Sequence, residues 1–258
     1  MISKDNKLVK IAQKLKKKKY RDEEKLFIAE GIRFVESAIE SNLVKYILYS
    51  EKLYSVNGYE RVLNENIDSF EVEDSILKEL CDTENPQGVL AVCFKKEYNL
   101  DDILGNLIVI VDSVQDPGNL GTIIRTCDAA GVSGIVVLKG TVDVYNPKVL
   151  RSTMGSIFNI PIIFEDNFKD LSNMLLQNNY SILATSLNTK KSLYDYDFSK
   201  KTAVILGNEA NGVKEENMNL ATDLMFIPME GNSESLNVSI ANSVIVYEAL
   251  RQRIKGHM

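Results

Sequence analysis

The stretch Leu107-Ile-Val-Ile-Val111, with the segment Asp116-Pro-Gly-Asn-Leu-Gly-Thr-Ile-Ile-Arg125 that follows it, decides the fold. An unbroken apolar run rich in β-branched residues predicts a strand that is buried on both faces, as in a parallel sheet. The loop that starts at Asp112 and the apolar spacing beyond it predict a helix from about Asn119 to Ala130. A buried strand, a polar loop and a helix form the repeating unit of an α/β fold.

The same alternation continues towards the C-terminus. Further strands are predicted at Gly134–Leu138, Pro161–Phe164, Ser181–Thr185, Thr202–Leu206 and Leu224–Ile227. Further helices are predicted at Pro147–Met154, Phe168–Asn179 and Val238–Ile254. This order predicts an α/β fold in which helices flank a mostly parallel sheet.

The first part of the chain predicts a separate, smaller α/β domain. A helix is predicted over Leu26–Ile39 and a capped helix from Ser75 to Cys81, with three strands at Val44–Tyr49, Phe70–Val72 and Gly88–Phe94. The polar stretch Lys95–Gly105 is typical of a linker. We therefore expect an N-terminal domain over residues 1–98 and a C-terminal domain over residues 106–258.

Composition excludes several classes of protein. No run of 18 apolar residues is present, so no membrane span is expected, and the N-terminus lacks the apolar core of a secretory signal. The 3 cysteines show no C-x-x-C spacing, which fits a reducing cytoplasm and predicts no metal site. The single histidine, His257, is next to the last residue, so catalytic triads and zinc sites that need histidine are disfavoured.

Charge is distributed unevenly along the chain. Residues 1–21 hold eight Lys and one Arg against Asp5, a net charge of +8, so the remainder of a chain with net charge −6 carries −6 − 8 = −14. The run Lys16-Lys17-Lys18-Lys19 is the densest part. Such a segment is either a flexible, solvated arm or an electrostatic handle for phosphates, and the charge alone favours neither.

Three polar segments follow predicted strands, after Val111, at Leu206 and after Ile227, and Thr185 ends a fourth strand. Ligands of open parallel sheets bind beyond the carboxyl ends of the strands, so we expect one composite pocket there. The pocket lacks the phosphate-binding signatures G-x-G-x-x-G and G-x-x-x-x-G-K-[ST], which disfavours a Rossmann dehydrogenase and a P-loop NTPase.

These three segments resemble the motifs of the SpoU (TrmH) RNA 2′-O-methyltransferases of the SPOUT class. The matching residues are Asn119-x-Gly121-x-x-x-Arg125, Leu206-Gly-Asn-Glu209-x-x-Gly212 and Ile227-Pro-Met-x-Gly231-x-x-x-Ser235-Leu-Asn-Val238-x-x-Ala241. Each motif alone is weak, but all three in this order are specific. The N-terminal Phe27-Ile-Ala-Glu-Gly-Ile-Arg33 is similar, more loosely, to the family's L30e-like substrate-binding domain.

The resemblance implies a C-terminal trefoil knot, a homodimer whose sites draw on both chains, and S-adenosylmethionine as the methyl donor. The substrate implied is a ribose 2′-hydroxyl in rRNA or tRNA. The positions that match the family's cofactor contacts are Gly207, Ile227 and Leu236, and we add Thr185, Leu206 and Met229.

The resemblance also implies catalytic residues. Arg125 is expected to bind an RNA phosphate and to stabilise developing alkoxide charge, because a guanidinium is a poor base. Asn119 is expected to orient the substrate or to cap the following helix, and Glu209 to anchor loop backbone or to position Arg125 of the partner chain. Ser235 and Asn237 are expected to start the last helix and to face the ribose.

RNA contacts are expected on both domains. The candidates are Arg33, Asn146, Arg151, Ser152, Lys16, Lys17, Lys18 and Lys19. Two other functions stay open: a non-catalytic RNA-binding or ribosome-assembly protein of the same fold, and a SPOUT enzyme that methylates a base.

Overall fold

A computed structural model describes residues 1–63 and 66–255, so His257 lies outside the described residues. The chain divides into two compact units. The first contains Met1–Lys96 together with Tyr145–Phe158, and the second contains Glu97–Val144 and the chain from Asn159 onwards. Within the described residues, no helix has the length and hydropathy needed to cross a bilayer.

The second unit is built on a six-stranded sheet in which every neighbouring pair is parallel. Its strands are β5 (Leu107–Val111), β6 (Gly134–Leu138), β7 (Ile162–Glu165), β8 (Ser181–Thr185), β9 (Thr202–Leu206) and β10 (Asp223–Met225). Its helices are α5 (Pro117–Ala129), α7 (Phe168–Gln177), α8 (Glu215–Met218) and α9 (Val238–Lys255). The predicted α/β fold, in which helices flank a mostly parallel sheet, is confirmed.

Both faces of this sheet are covered. Alternate residues such as Ile108 and Ile110 of β5 belong to the same core cluster as Leu171 and Leu175 of α7. The intervening residues of β5 are buried as well, which explains why its sequence is apolar without alternation. On α5 and α9, the buried side chains of Cys127 and Asn242 contact each other, with 3.7 Å between Sγ and Oδ1.

The strand order is β10-β8-β9-β5-β6-β7. The chain proceeds outwards from β5 through β6 to β7 and then returns to the other side of β5 for β8, β9 and β10. The order therefore reverses beside β5, and crevices for ligands form at the carboxyl ends of strands next to such a reversal.

The first unit contains a four-stranded mixed sheet of order β1-β4-β2-β3. Its elements are α1 (Lys7–Lys14), α2 (Lys18–Glu24), β1 (Leu26–Glu30), α3 (Ile32–Glu40), β2 (Val44–Tyr49), β3 (Ser69–Glu71), α4 (Asp74–Leu80) and β4 (Val89–Phe94).

One predicted helix of this unit is wrong in its first half. Residues 26–30 form β1, which pairs antiparallel with β4, and only Ile32–Glu40 is helical. Gly31 separates the two elements with φ of 88°, a conformation that favours glycine. The apolar run Leu26-Phe-Ile-Ala29 fits a helix or a buried strand equally well, and pairing with β4 selects the strand.

The lysine-rich segment is folded, so the flexible arm considered above is wrong. It forms α1 and α2, and Val9, Ala12 and Leu15 are buried in the core of the first unit. Arg21, which is 5% exposed, donates from Nη1 to the carbonyl oxygens of Leu15 at 2.8 Å and Lys16 at 2.9 Å. This arginine therefore stabilises the turn after α1 and has a structural role.

The segment Tyr145–Phe158, expected in the C-terminal domain, belongs to the first unit. It contains α6 (Pro147–Thr153) and connects β6 to β7. The Phe27 ring packs against Tyr145 at 4.9 Å and Phe158 at 6.1 Å between centroids. The expected linker is also partly structured, since Leu100–Ile103 forms a short 3-10 helix and Ile103 is buried.

Candidate active site

A cavity of about 440 Å³ lies at the carboxyl ends of β8, β9 and β10. The strand ends that reach it are Thr185, Leu206 and Met225, and the rest of its wall comes from the loops after β9 and β10 and from the start of α9. All six predicted cofactor-contact residues line it: Gly207, Ile227, Leu236, Thr185, Leu206 and Met229. Their contact with a cofactor stays a prediction.

The wall that follows β9 is shaped by Gly207. A Cβ atom at this position would lie 2.0 Å from the backbone of Gly212 and Val213. The loop folds back there, with Asn208 and Gly212 exchanging two backbone hydrogen bonds of 2.9 Å. Glycine is therefore needed at position 207 because the backbone of Gly212 and Val213 packs directly against it. This reason differs from the ligand contact expected from the sequence.

The other cavity walls combine apolar and polar groups. Ile227, Leu236 and Met229 are half-buried, whereas Leu206 is 1% exposed. The Thr185 hydroxyl donates to the carbonyl of Ile205 at 3.1 Å, so it links the neighbouring strands β8 and β9. The cavity can thus offer aliphatic surfaces to a flat apolar group.

A network of hydrogen bonds joins the three motifs. The Glu209 carboxylate accepts from Asn119 Nδ2 at 3.0 Å and from the backbone N–H groups of Gln115 and Asp116, both at 3.2 Å. Asn119 Oδ1 in turn accepts from Asn237 Nδ2 at 3.0 Å. Since Glu209 and Asn237 both line the cavity, this network fixes the loop after β5 to the cavity wall.

The network also holds Glu209 in its charged form. Partial burial would raise the pKa of this carboxyl, but the hydrogen bonds from Asn119 and from backbone N–H groups outweigh burial and lower the pKa below its usual value. Glu209 is therefore an acceptor that anchors the loop backbone, as one of the two expected roles proposed. Among the described contacts it has none with Arg125.

The structure corrects which residues cap the helices. α5 begins at Pro117 and is capped by Asp116, whose side chain accepts from the N–H of Asn119, so Asn119 is in the first turn and is not the cap. The side chain of Asn237 accepts from the N–H of Ser239 at 2.9 Å at the start of α9. Ser235 is exposed and lines the cavity, but its side chain makes no hydrogen bond among the described contacts.

Arg125 is exposed on α5 and does not line the cavity of its own chain. Its side chain has no hydrogen bond or ion pair to any residue in the described part of the chain. About two turns of helix separate it from Gly118 at the start of α5. The guanidinium is therefore available to a group outside this chain.

Two organising residues were missed from the sequence. Asn208 donates from Nδ2 to the carbonyl of Ser113 at 2.9 Å, and its Oδ1 accepts from the N–H of Ala210 at 3.0 Å. Asp112 is fully buried and accepts from the Lys214 N–H at 2.9 Å and from Asn217 Nδ2 at 2.8 Å. Asp112 could have been found from the sequence because it is a carboxylate directly after an apolar strand. Asn208 could have been found because it lies within the second motif.

None of the predicted RNA-binding residues lines the cavity. Asn146 caps α6, Arg151 pairs with Asp82 at 2.8 Å, and the Ser152 hydroxyl donates to the carbonyl of Lys148. α6 packs in the first unit, where Arg33 and the lysines Lys16, Lys17, Lys18 and Lys19 are exposed. Their contact with RNA stays a prediction.

Residues 106–247, more than half of the chain, match the SpoU rRNA Methylase family, and residues 6–91 match the MRM3-like substrate binding domain. The chain belongs to the SpoU rRNA methylase family. The three motifs that meet around the cavity and its hydrogen-bond network all lie in the SpoU region.

Named relatives cover nearly the whole chain. The 23S rRNA (guanosine(2553)-2′-O)-methyltransferase RlmP of Bacillus subtilis is 35% identical over 94% of this chain and 95% of its own length. The 23S rRNA (uridine(2479)-2′-O)-methyltransferase of Streptomyces viridochromogenes is 31% identical over 89% of this chain and 84% of its own.

Solved structures agree with this assignment. The SpoU methyltransferase AviRb of Streptomyces viridochromogenes, in complex with AdoMet, superposes with a TM-score of 0.87 at 28% identity, over 96% of this chain and 98% of its own. An AdoMet-bound rRNA methyltransferase from Sinorhizobium meliloti gives a TM-score of 0.80 at 33% identity, over 95% of both chains.

Proposed function

We propose that this SpoU family chain transfers a methyl group from S-adenosylmethionine to a ribose 2′-hydroxyl of ribosomal RNA. The observation that carries the proposal is the cavity at the ends of β8, β9 and β10, joined to the first motif by Glu209 and Asn119. Relatives named as rRNA 2′-O-methyltransferases and solved relatives with AdoMet bound support it.

The cavity residues fit the methyl donor. A volume of about 440 Å³ is within the range that holds ligands of this size. Ile227 and Leu236 offer apolar walls to an adenine ring, and Gly207 lines the cavity without a side chain. When bound, the donor supplies a methyl group that its sulfonium has already activated for transfer.

The residues around the cavity then have to position the RNA. Asn237 and Ser235, at the start of α9, orient the ribose, while Asn119 and Glu209 keep the loops in register. Arg125 binds a phosphate of the RNA and stabilises the charge that develops on the 2′-oxygen, while the hydroxyl proton passes to a phosphate oxygen or to water.

The proposal includes a homodimer in which Arg125 of one chain serves the site of its partner. Its exposure and its absence from the cavity of its own chain support this arrangement. α9 also presents Ile240, Tyr247 and Ile254, each between 48% and 49% exposed, at intervals of seven residues. A trefoil knot and a cytoplasmic location are further parts of the proposal.

The decisive experiment offers the protein rRNA and S-adenosylmethionine with a labelled methyl group, digests the RNA to nucleosides and determines their masses. The expected product is a nucleoside methylated on its ribose. A label on the base would instead identify a base-methylating enzyme. RNA binding with no product and no measurable affinity for the donor would identify a non-catalytic RNA-binding protein.

A further inference from the structure

The lysines of α1 lie in one row. Lys7, Lys10 and Lys14 follow the spacing i, i+3 and i+7, which places them within about 60° of one another around the helix axis and over about 10 Å along it. Val9 and Ala12 occupy the opposite, buried side. α1 contains no acidic residue, so the row is uniformly positive.

Little within the protein neutralises this row. The ammonium groups of Lys7 and Lys14 form no hydrogen bond or ion pair with any described residue. Lys10 pairs with Asp5 at 2.9 Å, but the Asp5 side chain is 92% exposed, and such pairs contribute little. The Lys14 ammonium also lies 5.6 Å from the centre of the Tyr20 ring.

The row is held in a fixed orientation by the fold. Leu15 is buried at the end of α1, and the Tyr46 hydroxyl donates to the carbonyl of Leu8 at 2.8 Å. Arg21 holds the following turn through the carbonyls of Leu15 and Lys16. Because α1 is already packed on a core, binding a ligand orders only the lysine side chains. The loss of conformational entropy is therefore smaller than it would be for a flexible arm.

We propose that Lys7, Lys10 and Lys14 bind the phosphate backbone of the RNA substrate outside the methylated nucleotide, without reading its sequence. The inference rests on the proposed function and adds a contact surface in the first unit. Charge complementarity favours RNA, since this chain of net charge −6 concentrates +8 in residues 1–21. A membrane is disfavoured because the apolar side of α1 is buried in the protein and cannot insert.

The test compares two triple variants of the full-length protein. One carries Lys7→Gln, Lys10→Gln and Lys14→Gln, since glutamine keeps the helix propensity of lysine. The control carries Lys52→Gln, Lys78→Gln and Lys190→Gln, which removes the same charge from exposed lysines elsewhere. Affinity for an rRNA fragment that the wild type binds is measured over a series of salt concentrations.

We expect the row variant to lose about tenfold in RNA affinity at low salt and to reduce the slope of log K against log salt by about two, near 0.7 for each lost phosphate contact. The control should keep the wild-type slope, and both should keep the wild-type melting temperature and affinity for S-adenosylmethionine. Equal slopes for the two variants would overturn the proposal. Row-dependent binding to vesicles of anionic lipid, without row-dependent RNA binding, would overturn it in favour of a membrane.

The two proposals can fail separately. If the wild type methylates rRNA and the row variant binds RNA as tightly as the control, only the lysine row is refuted. If RNA binding depends on the row but no methylated nucleoside forms, the proposed reaction is refuted and the row stands.

Discussion

The loop from Gly207 to Gly212 and the lysine-rich residues 1–21 are both rich in polar side chains, yet they are held in different ways. The loop is fixed by hydrogen bonds, with Glu209 binding the backbone after β5 and Asn208 closing the turn. The lysine-rich segment is fixed by burial of Val9, Ala12 and Leu15. A polar composition therefore does not indicate mobility, and each region should respond to a different kind of substitution.

The largest expected effect concerns Arg125, whose exposed side chain belongs neither to the hydrogen-bond network of the loop nor to a buried core. Arg125→Ala should lower methyl transfer by about 100-fold or more, because a donor aimed at developing charge is lost. Affinity for S-adenosylmethionine should change little, since Arg125 does not line the cavity. Methyl transfer is followed with a labelled methyl donor, and affinity for S-adenosylmethionine is measured by calorimetry. Equal losses of both would mean that Arg125 acts in binding the methyl donor.

Burial in the lysine-rich segment is tested by Leu15→Ala. Leu15 is 1% exposed, so its truncation should lower the free energy of unfolding of the first unit by about 2–5 kcal/mol. Gln13→Ala, at an exposed position of α1, is the matched control and should change it by less than about 0.5 kcal/mol. A negligible effect of Leu15→Ala on the free energy of unfolding, measured by denaturant titration, would support the alternative that residues 1–21 form a flexible arm.

Close packing in the loop is tested by Gly207→Ala. The added Cβ meets backbone atoms at 2.0 Å, so the loop must open, at a cost of about 1–3 kcal/mol in the free energy of unfolding. Affinity for S-adenosylmethionine should fall with it. Gly231→Ala is the control, because nothing lies within 4 Å of the atom that it adds. Equal donor affinities for the two variants, measured by calorimetry, would contradict this account of the cavity wall.

The smallest effect is the titration of Glu209, whose pKa is lowered by the network. Its charged form favours the folded state, so its contribution to stability is complete above the ordinary glutamate pKa and disappears as the pH falls through the lowered value. NMR titration of the carboxyl should give a pKa below the ordinary value of a glutamate. Asn119→Ala, which removes a donor, should raise that pKa, and no change would exclude the hydrogen bond as its cause.

The sequence predicted the sheet of the second unit because its strands are continuous apolar runs bounded by polar loops. β5, β6, β8 and β9 have the predicted bounds. It also indicated the cavity, since parallel strands bring their carboxyl ends to one edge. Periodicity could not separate β1 from α3, because Leu26–Ala29 is too short for its apolar pattern to distinguish strand from helix.

Other features depended on contacts between distant residues. The lysines drew attention to charge in residues 1–21, although Val9, Ala12 and Leu15 have the spacing of a buried helix face. The cap of α5 was assigned to Asn119 because the helix was predicted to begin two residues late. The docking of α6 in the first unit depends on Phe27, Tyr145 and Phe158, which no local pattern connects.

That docking has a consequence for biosynthesis. The first unit is discontinuous, since residues 145–158 emerge from the ribosome only after β5 and β6 have been made. Until then, Phe27, which is 2% exposed in the finished protein, lacks the rings of Tyr145 and Phe158. A nascent chain that ends at Lys96 thus exposes the side chain of Phe27 that these rings later cover. The first unit therefore completes its folding only while the second unit is being synthesised.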